Sequence, residues 1–362
     1  MIIEQRTPIE VLLNIILWFI MLFLNRKQIS SNSKQGTTFS TFFIVILIYS
    51  IFGFSSGDFF NYKWLYSELM KSPFIIHVEP FYFWLAKNLP ESYYLWRGII
   101  WGSAIFFFIK AFKQLKCNTQ FSCLIFTLIA MGTFHNLRNV LGYSVLCYGT
   151  TLLFTSRKNN FIYIILGITW IILSLFLHKS MFLYIIIMGL SLIPLNKKYI
   201  ILSLLFFPII YNSVTYISEF ILTNSFADET SQQSGENYLN SELMWEVNIY
   251  GMLRLIIERL PIFIFLFYSI KHIYFKKEHI QYSLKIFLQY SYWLIYISYL
   301  FRGQSVSSYL TNRFWDAALF PFTIFLSAYL YQQPRTPFIK KTFYLLIIAN
   351  LYTLTYILYK TL

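Results

Sequence analysis

"NFIYIILGITWIILSLFLHKSMFLYIIIMGLSLIPL", residues 160–195, holds two apolar runs, 160–177 and 180–195, separated by His178, Lys179 and Ser180. Each run is close to the roughly 17–25 residues a helix needs to cross a bilayer. Neither alternates polar and apolar positions, so a barrel strand is excluded. Hydrocarbon offers no water to satisfy peptide groups, and a run of this kind must therefore be helical. The pair reads as a helical hairpin whose turn sets an imidazole and an ammonium back to back at a membrane surface.

Working outward, runs of the same type fill the chain: 8–24, 39–54, 94–109, 119–134, 139–154, 199–217, 249–271, 282–300, 314–331 and 342–359. With the first two, that makes about twelve. The 362 residues are 57% hydrophobic and 12% charged, against about 25% charged in soluble domains. The expected fold is all-α: a polytopic integral membrane protein forming one transmembrane domain over 1–362, with outer loops at 55–93 and 218–248. The first run opens with Glu4, Arg6 and Glu10 and ends at Asn25-Arg26-Lys27, unlike a cleavable signal. Cys117, Cys123 and Cys147 lack metal spacing and read as buried small hydrophobes.

Charge supplies the orientation. The loops after the odd-numbered runs, with Lys285 just beyond the fifth of them, hold 17 of the 29 basic residues and one acid, Glu278. The other side holds the remaining 12 basic and 14 acidic residues. The positive-inside rule puts the first face in the cytoplasm and both termini outside. The net charge of +14 is thus topology and no argument for nucleic-acid binding.

Arginine and lysine divide differently. Only five of 19 lysines lie on the outer side, but seven of ten arginines do: Arg6, Arg97, Arg138, Arg254, Arg259, Arg302 and Arg313. Topology is indifferent to the choice, whereas a guanidinium binds phosphate and carboxylate bidentately and stays charged when desolvated. From Leu260 to Ile270 only about 16 Å of helix is available, so the helix must continue back through Arg254, Glu258 and Arg259. The same count from Ile99 draws Arg97 inward. Charges at that depth mark a ligand site by default.

The outer segment 55–93 sets Asp58, Glu68, Glu79 and Glu91 among many aromatic residues, Tyr62 included. Carboxylates accept hydrogen bonds from sugar hydroxyls, and rings cover apolar sugar faces; the plainer alternative is an interfacial aromatic belt. Phe81–Leu89 is too short to span and reads as interfacial or re-entrant. The polar segment 218–248 reads as a lid or a solvated loop.

Five stretches follow one another along the chain: "GDFFNYKWLY" (Asp58, Tyr62, Tyr66), "EPFYFWL" (Glu79, Pro80), "HNLRNVLGYSVLCYG" (Arg138), "FLHKSMFLY" (His178, Ser180) and "LTNRFWDAALFPF" (Arg313). In their order and topology the whole chain resembles the EpsG family, the Wzy-type polymerases of O-antigen, capsule and exopolysaccharide synthesis. Asn139 stands where the family usually has Gln. The resemblance implies a GT-C-like glycosyltransferase in the bacterial inner membrane with its site facing the periplasm. It would move a growing glycan from undecaprenyl pyrophosphate to the non-reducing end of a lipid-linked repeat unit. Its partners would be those lipid-linked oligosaccharides, membrane lipid and a chain-length regulator protein. Catalytic candidates are His178, Arg138, Asp58 and Glu79. Candidates for substrate binding are Arg97, Arg254, Arg259, Arg302, Arg313 and Tyr62. His178 is the natural base for the acceptor hydroxyl, and the arginines would stabilise the leaving pyrophosphate. No GxxxxGK loop and no Asp-x-Asp pair occurs, so neither cofactor nor metal is expected. An O-antigen ligase shares donor and arginines and is the main alternative. A flippase would want an internal repeat, and a membrane acyltransferase would want its His in a longer polar loop.

Overall fold

A computed structural model describes residues 8–25, 56–71, 79–89, 91–130, 137–155, 161–224, 249–301, 307–332 and 336–361. Among them the chain is helical throughout, with thirteen helices and no strand. In chain order these are α1 (Pro8–Leu24), α2 (Ser56–Lys71), α3 (Pro80–Asn88), α4 (Tyr93–Gln114), α5 (Thr119–Ala130), α6 (Leu137–Thr155) and α7 (Phe161–Leu177). They continue as α8 (Met181–Leu190), α9 (Lys197–Asn224), α10 (Ile249–Ile270), α11 (Tyr282–Leu300), α12 (Ser307–Gln332) and α13 (Pro337–Thr361). A π turn, Lys271–Phe275, extends α10.

Eleven of the twelve expected runs fall on helices, and 39–54 lies outside the described residues. Tyr93–Gln114 and Thr311–Tyr331 are long and apolar enough to cross a membrane, and Ile15–Leu24, Thr119–Ile129, Phe161–Leu177 and Met181–Leu190 are shorter apolar helices. Segment 55–93, expected as a loop, holds α2 and α3. Its aromatic residues hide the helix from a hydropathy reading, because Trp and Tyr score low yet pack well. Segment 218–248 is helical as far as Asn224, and its remainder lies outside the described residues.

Unlike a soluble bundle, the structure is apolar on its outer surface as well as in its core. On α7 the buried residues are Gly167, Ile171 and Ser174, a stripe at i, i+4 and i+7. Phe161, Ile162, Ile172 and Phe176 point outward. Large apolar surface continues along α8 and α9; soluble monomers seldom show patches of that extent, so the surface is consistent with a membrane protein. Small residues let helices approach closely where lipid replaces water as solvent. Gly149 of α6 and Gly167 of α7 show the effect: a Cβ on Gly149 would stand 2.8 Å from the Gly167 carbonyl oxygen. At the centre lies α12, buried at every position from Phe314 to Leu330, with α11 packed along it. The three cysteines are buried free thiols, as expected.

Candidate active site

The turn between α7 and α8 is as short as its sequence implies. Ser174 carbonyl accepts from the His178 amide at 3.2 Å, and His178 carbonyl accepts from the Met181 amide at 3.0 Å. The chain reverses within His178, Lys179 and Ser180. Lys179 is exposed, while His178 and Ser180 turn toward the bundle. Ser180 Oγ donates to Asn139 Oδ1 at 3.3 Å, which ties the turn to the head of α6. One residue further, Met181 fills the space that Gly142 of α6 leaves open.

His178 meets Glu79. Its Nδ1 lies 2.5 Å from Glu79 Oε1, across 99 positions of sequence. Glu79 is the N-cap residue of α3, with extended backbone (φ −61°, ψ 140°) and Pro80 in the first helical position. Proline suits that position because its missing N–H would have had no partner. The Glu79 carboxylate makes no capping bond to its own helix and reaches to the imidazole instead. The Glu79 side chain is only 6% exposed and that of His178 19%. A carboxylate on Nδ1 fixes the ring's orientation and leaves Nε2 for chemistry.

The helix α3 that carries Glu79 is anchored on both sides. Trp96 Nε1 of α4 donates to Tyr82 carbonyl at 3.2 Å, and Lys87 Nζ donates to Met70 carbonyl of α2 at 2.7 Å. The same layer includes Arg97, buried on α4, whose Nη1 donates to Tyr93 Oη at 3.2 Å. Tyr62 packs half-buried against this layer. The acid-and-aromatic segment thus forms a wall beside the His178 turn.

A second group sits where α10 meets α12. Arg259 is buried; its Nη2 donates to Asn312 Oδ1 at 2.9 Å, and its guanidinium lies 4.5 Å from the Trp315 ring centroid. Its neighbour Glu258 turns the other way and accepts from Thr353 Oγ1 of α13 at 2.7 Å. Arg313 and Asp316 of α12 lie within electrostatic reach of the Tyr143 and Tyr184 hydroxyls. Those rings stand 5.0 Å apart, one helical turn below Asn139 on α6 and Ser180 on α8. Arg138, Arg254 and Asp58 lie on α6, α10 and α2, with side chains outside the described set. Arg302 lies outside the described residues.

The structure therefore brings His178 and Glu79 into contact, joins Arg259 to Asn312 and Trp315, and holds Arg97 with the α3 wall. Sequence reading passed over Asp316, Tyr143 and Tyr184. Asp316 could have been found: it is buried, and a carboxylate within an apolar run is a functional signal by default. The tyrosines carried no such signal among 29 in the chain.

An imidazole oriented by a carboxylate can take a proton from a hydroxyl. The EpsG family model matches residues 37–362. No curated protein and no solved structure matches the chain significantly.

Proposed function

The chain belongs to the EpsG family, and on that premise we propose that it is a polysaccharide polymerase using lipid-pyrophosphate donors. It passes the growing glycan from undecaprenyl pyrophosphate to the non-reducing end of a lipid-linked repeat unit at the periplasmic face of the inner membrane. On this reading the other long helices are spans as well, about twelve in all in a GT-C-like arrangement, and both termini face outward.

The observation that carries the reading is the His178–Glu79 pair. His178 Nε2 accepts the proton of the acceptor hydroxyl as its oxygen attacks the anomeric carbon of the donor. The bond from that carbon to the pyrophosphate oxygen breaks, and a glycosidic C–O bond forms. The proton stays on the imidazole, whose new charge faces the Glu79 carboxylate. Undecaprenyl pyrophosphate departs with the electron pair. Fixed guanidinium groups at the leaving oxygen lower the barrier without reorganising; Arg138, Arg254, Arg259 and Arg313 are assigned that work, with Arg97, Arg302, Asp58 and Tyr62 around the sugars. Purified protein given lipid-linked repeat units tests this. Wild type should produce a ladder of extended chains and His178→Gln should not, because Gln keeps a hydrogen bond but takes no proton. Extension by the Gln variant at a rate comparable to wild type would remove His178 from proton transfer.

A further inference from the structure

An apolar groove of about 740 Å³ runs between α9, α10 and α11. Its walls include Phe263 and Phe267 of α10, Leu204 and Phe207 of α9 and Tyr299 of α11, and it ends beside Phe275 of the π turn. The groove adjoins the Arg259 site through two of its lining rings. Phe263 packs against Trp315 at 5.5 Å and Tyr299 against Trp315 at 6.2 Å between ring centroids. The same indole carries the Arg259 guanidinium. The two rings that wall the head of the groove thus support the cation above it.

That cation is incompletely matched. Its contacts are a neutral amide and an indole, and no carboxylate pairs with it among the described residues. A buried guanidinium without a counter-charge is costly, and an anionic head group at the head of the groove would offset that cost. Length narrows the class of lipid. From Arg259 to Phe275 the helix runs about 24 Å, whereas one leaflet of the hydrocarbon core is about 15 Å deep. A tail held at Arg259 and following the groove to its end must therefore be longer than an ordinary phospholipid chain, which is matched to one leaflet. We infer that the groove seats the polyisoprenyl chain of a lipid pyrophosphate, with Arg259 holding the pyrophosphate. This rests on the lipid-pyrophosphate donor proposed above and adds where its tail lies.

The test uses the full-length protein in detergent with two radiolabelled probes that carry no sugar, undecaprenyl pyrophosphate and the much shorter farnesyl pyrophosphate. Leu204 is an exposed groove residue, about 10 Å along α9 from Lys197, so a larger side chain there obstructs the far part of the groove. Leu204→Trp should weaken undecaprenyl pyrophosphate binding about 10-fold or more and keep farnesyl pyrophosphate near its wild-type affinity, which also shows the variant to be folded. Arg259→Gln should weaken both. Unchanged undecaprenyl binding by Leu204→Trp, or equal loss of both probes, overturns the inference. So does displacement of undecaprenyl pyrophosphate by phosphatidic acid as effectively as by unlabelled probe, which would make the groove an ordinary phospholipid site. None of these readouts needs chain extension. Tight, groove-dependent binding by a protein that extends nothing would sink the polymerase reading and keep the groove.

Discussion

Among the described residues are two imidazole–carboxylate pairs, and they are built in opposite ways. His272, in the π turn, and Glu278, in the loop that follows it, are six residues apart, with 3.5 Å between Nδ1 and Oε2. The backbone already closes that loop, with the Glu278 amide donating to His272 carbonyl at 3.1 Å. Tyr329 Oη donates to the same carboxylate at 3.1 Å, and Tyr268 lies against the imidazole at 4.2 Å between ring centroids. His178 and Glu79 come from elements 99 residues apart, at 2.5 Å, with nothing in the local chain to bring them together. A pair made by its own turn holds that turn. One assembled from distant helices fixes how those helices sit, and it presents the free ring nitrogen at their junction. Chemistry alone would not separate the two pairs; placement does.

The largest expected effect separates them directly. His178→Ala should lose roughly 10²–10⁴-fold in extension rate, the usual contribution of a positioned general base. The equivalent change at His272 should cost less than about 3-fold, since that ring meets no substrate in the proposed reaction; a staple contributes about 1 kcal/mol to folding. Equal losses in the two variants, scored on purified protein at matched amounts, would erase the distinction. Next in size is Glu79→Gln. It keeps an oxygen within reach of Nδ1 but removes the charge that stabilises the imidazolium formed during transfer. By analogy with orienting carboxylates in catalytic triads, a loss of about 10²-fold or more is expected. An effect confined to protein level, with the rate per molecule unchanged, would make Glu79 a structural cap and nothing more.

The pairing explains what could and could not be read from the chain. Helices were legible wherever apolar residues run on, and so was the hairpin turn, because three polar residues interrupt some 36 apolar-rich positions. The arginine excess is a matter of counting, and the side it falls on follows from the positive-inside rule alone. Glu79 and His178 were each visible as candidates, but their contact was not, since no periodicity links an N-cap of one helix to a turn 99 residues later. The neutral partners of Arg259 were hidden for the same reason. Asn312 and Trp315 are ordinary residues until α12 is laid against α10. Helices α2 and α3 escaped because an aromatic-rich segment has no clear apolar stripe.

For the His272–Glu278 pair the readout should be stability. Glu278→Ala leaves the Tyr329 hydroxyl, on an otherwise buried ring, without the acceptor it has now. Losing a partner for a buried donor costs about 1–3 kcal/mol, so the thermal unfolding midpoint in detergent should fall while extension per folded molecule stays near wild type. A midpoint that does not move would mean the loop is held by its backbone bond alone. A lost rate would mean that this pair, too, serves the reaction.

The smallest effect is expected one residue from the largest. Lys179 sits in the same turn as His178 and adds a charge at the same height, but its side chain is exposed while the imidazole faces the bundle. An exposed ammonium is well solvated and contributes little to a site it does not face. Lys179→Gln should therefore leave extension within about 2-fold of wild type, with any small loss shrinking as salt screens surface charge. The comparison is stringent because both substitutions give the turn a neutral polar residue of similar size. If Lys179→Gln fails as badly as His178→Gln, the turn matters as a whole and the imidazole has no special part. If only His178→Gln fails, the difference between neighbours lies in which of them meets Glu79, and proton transfer stays with the residue that does.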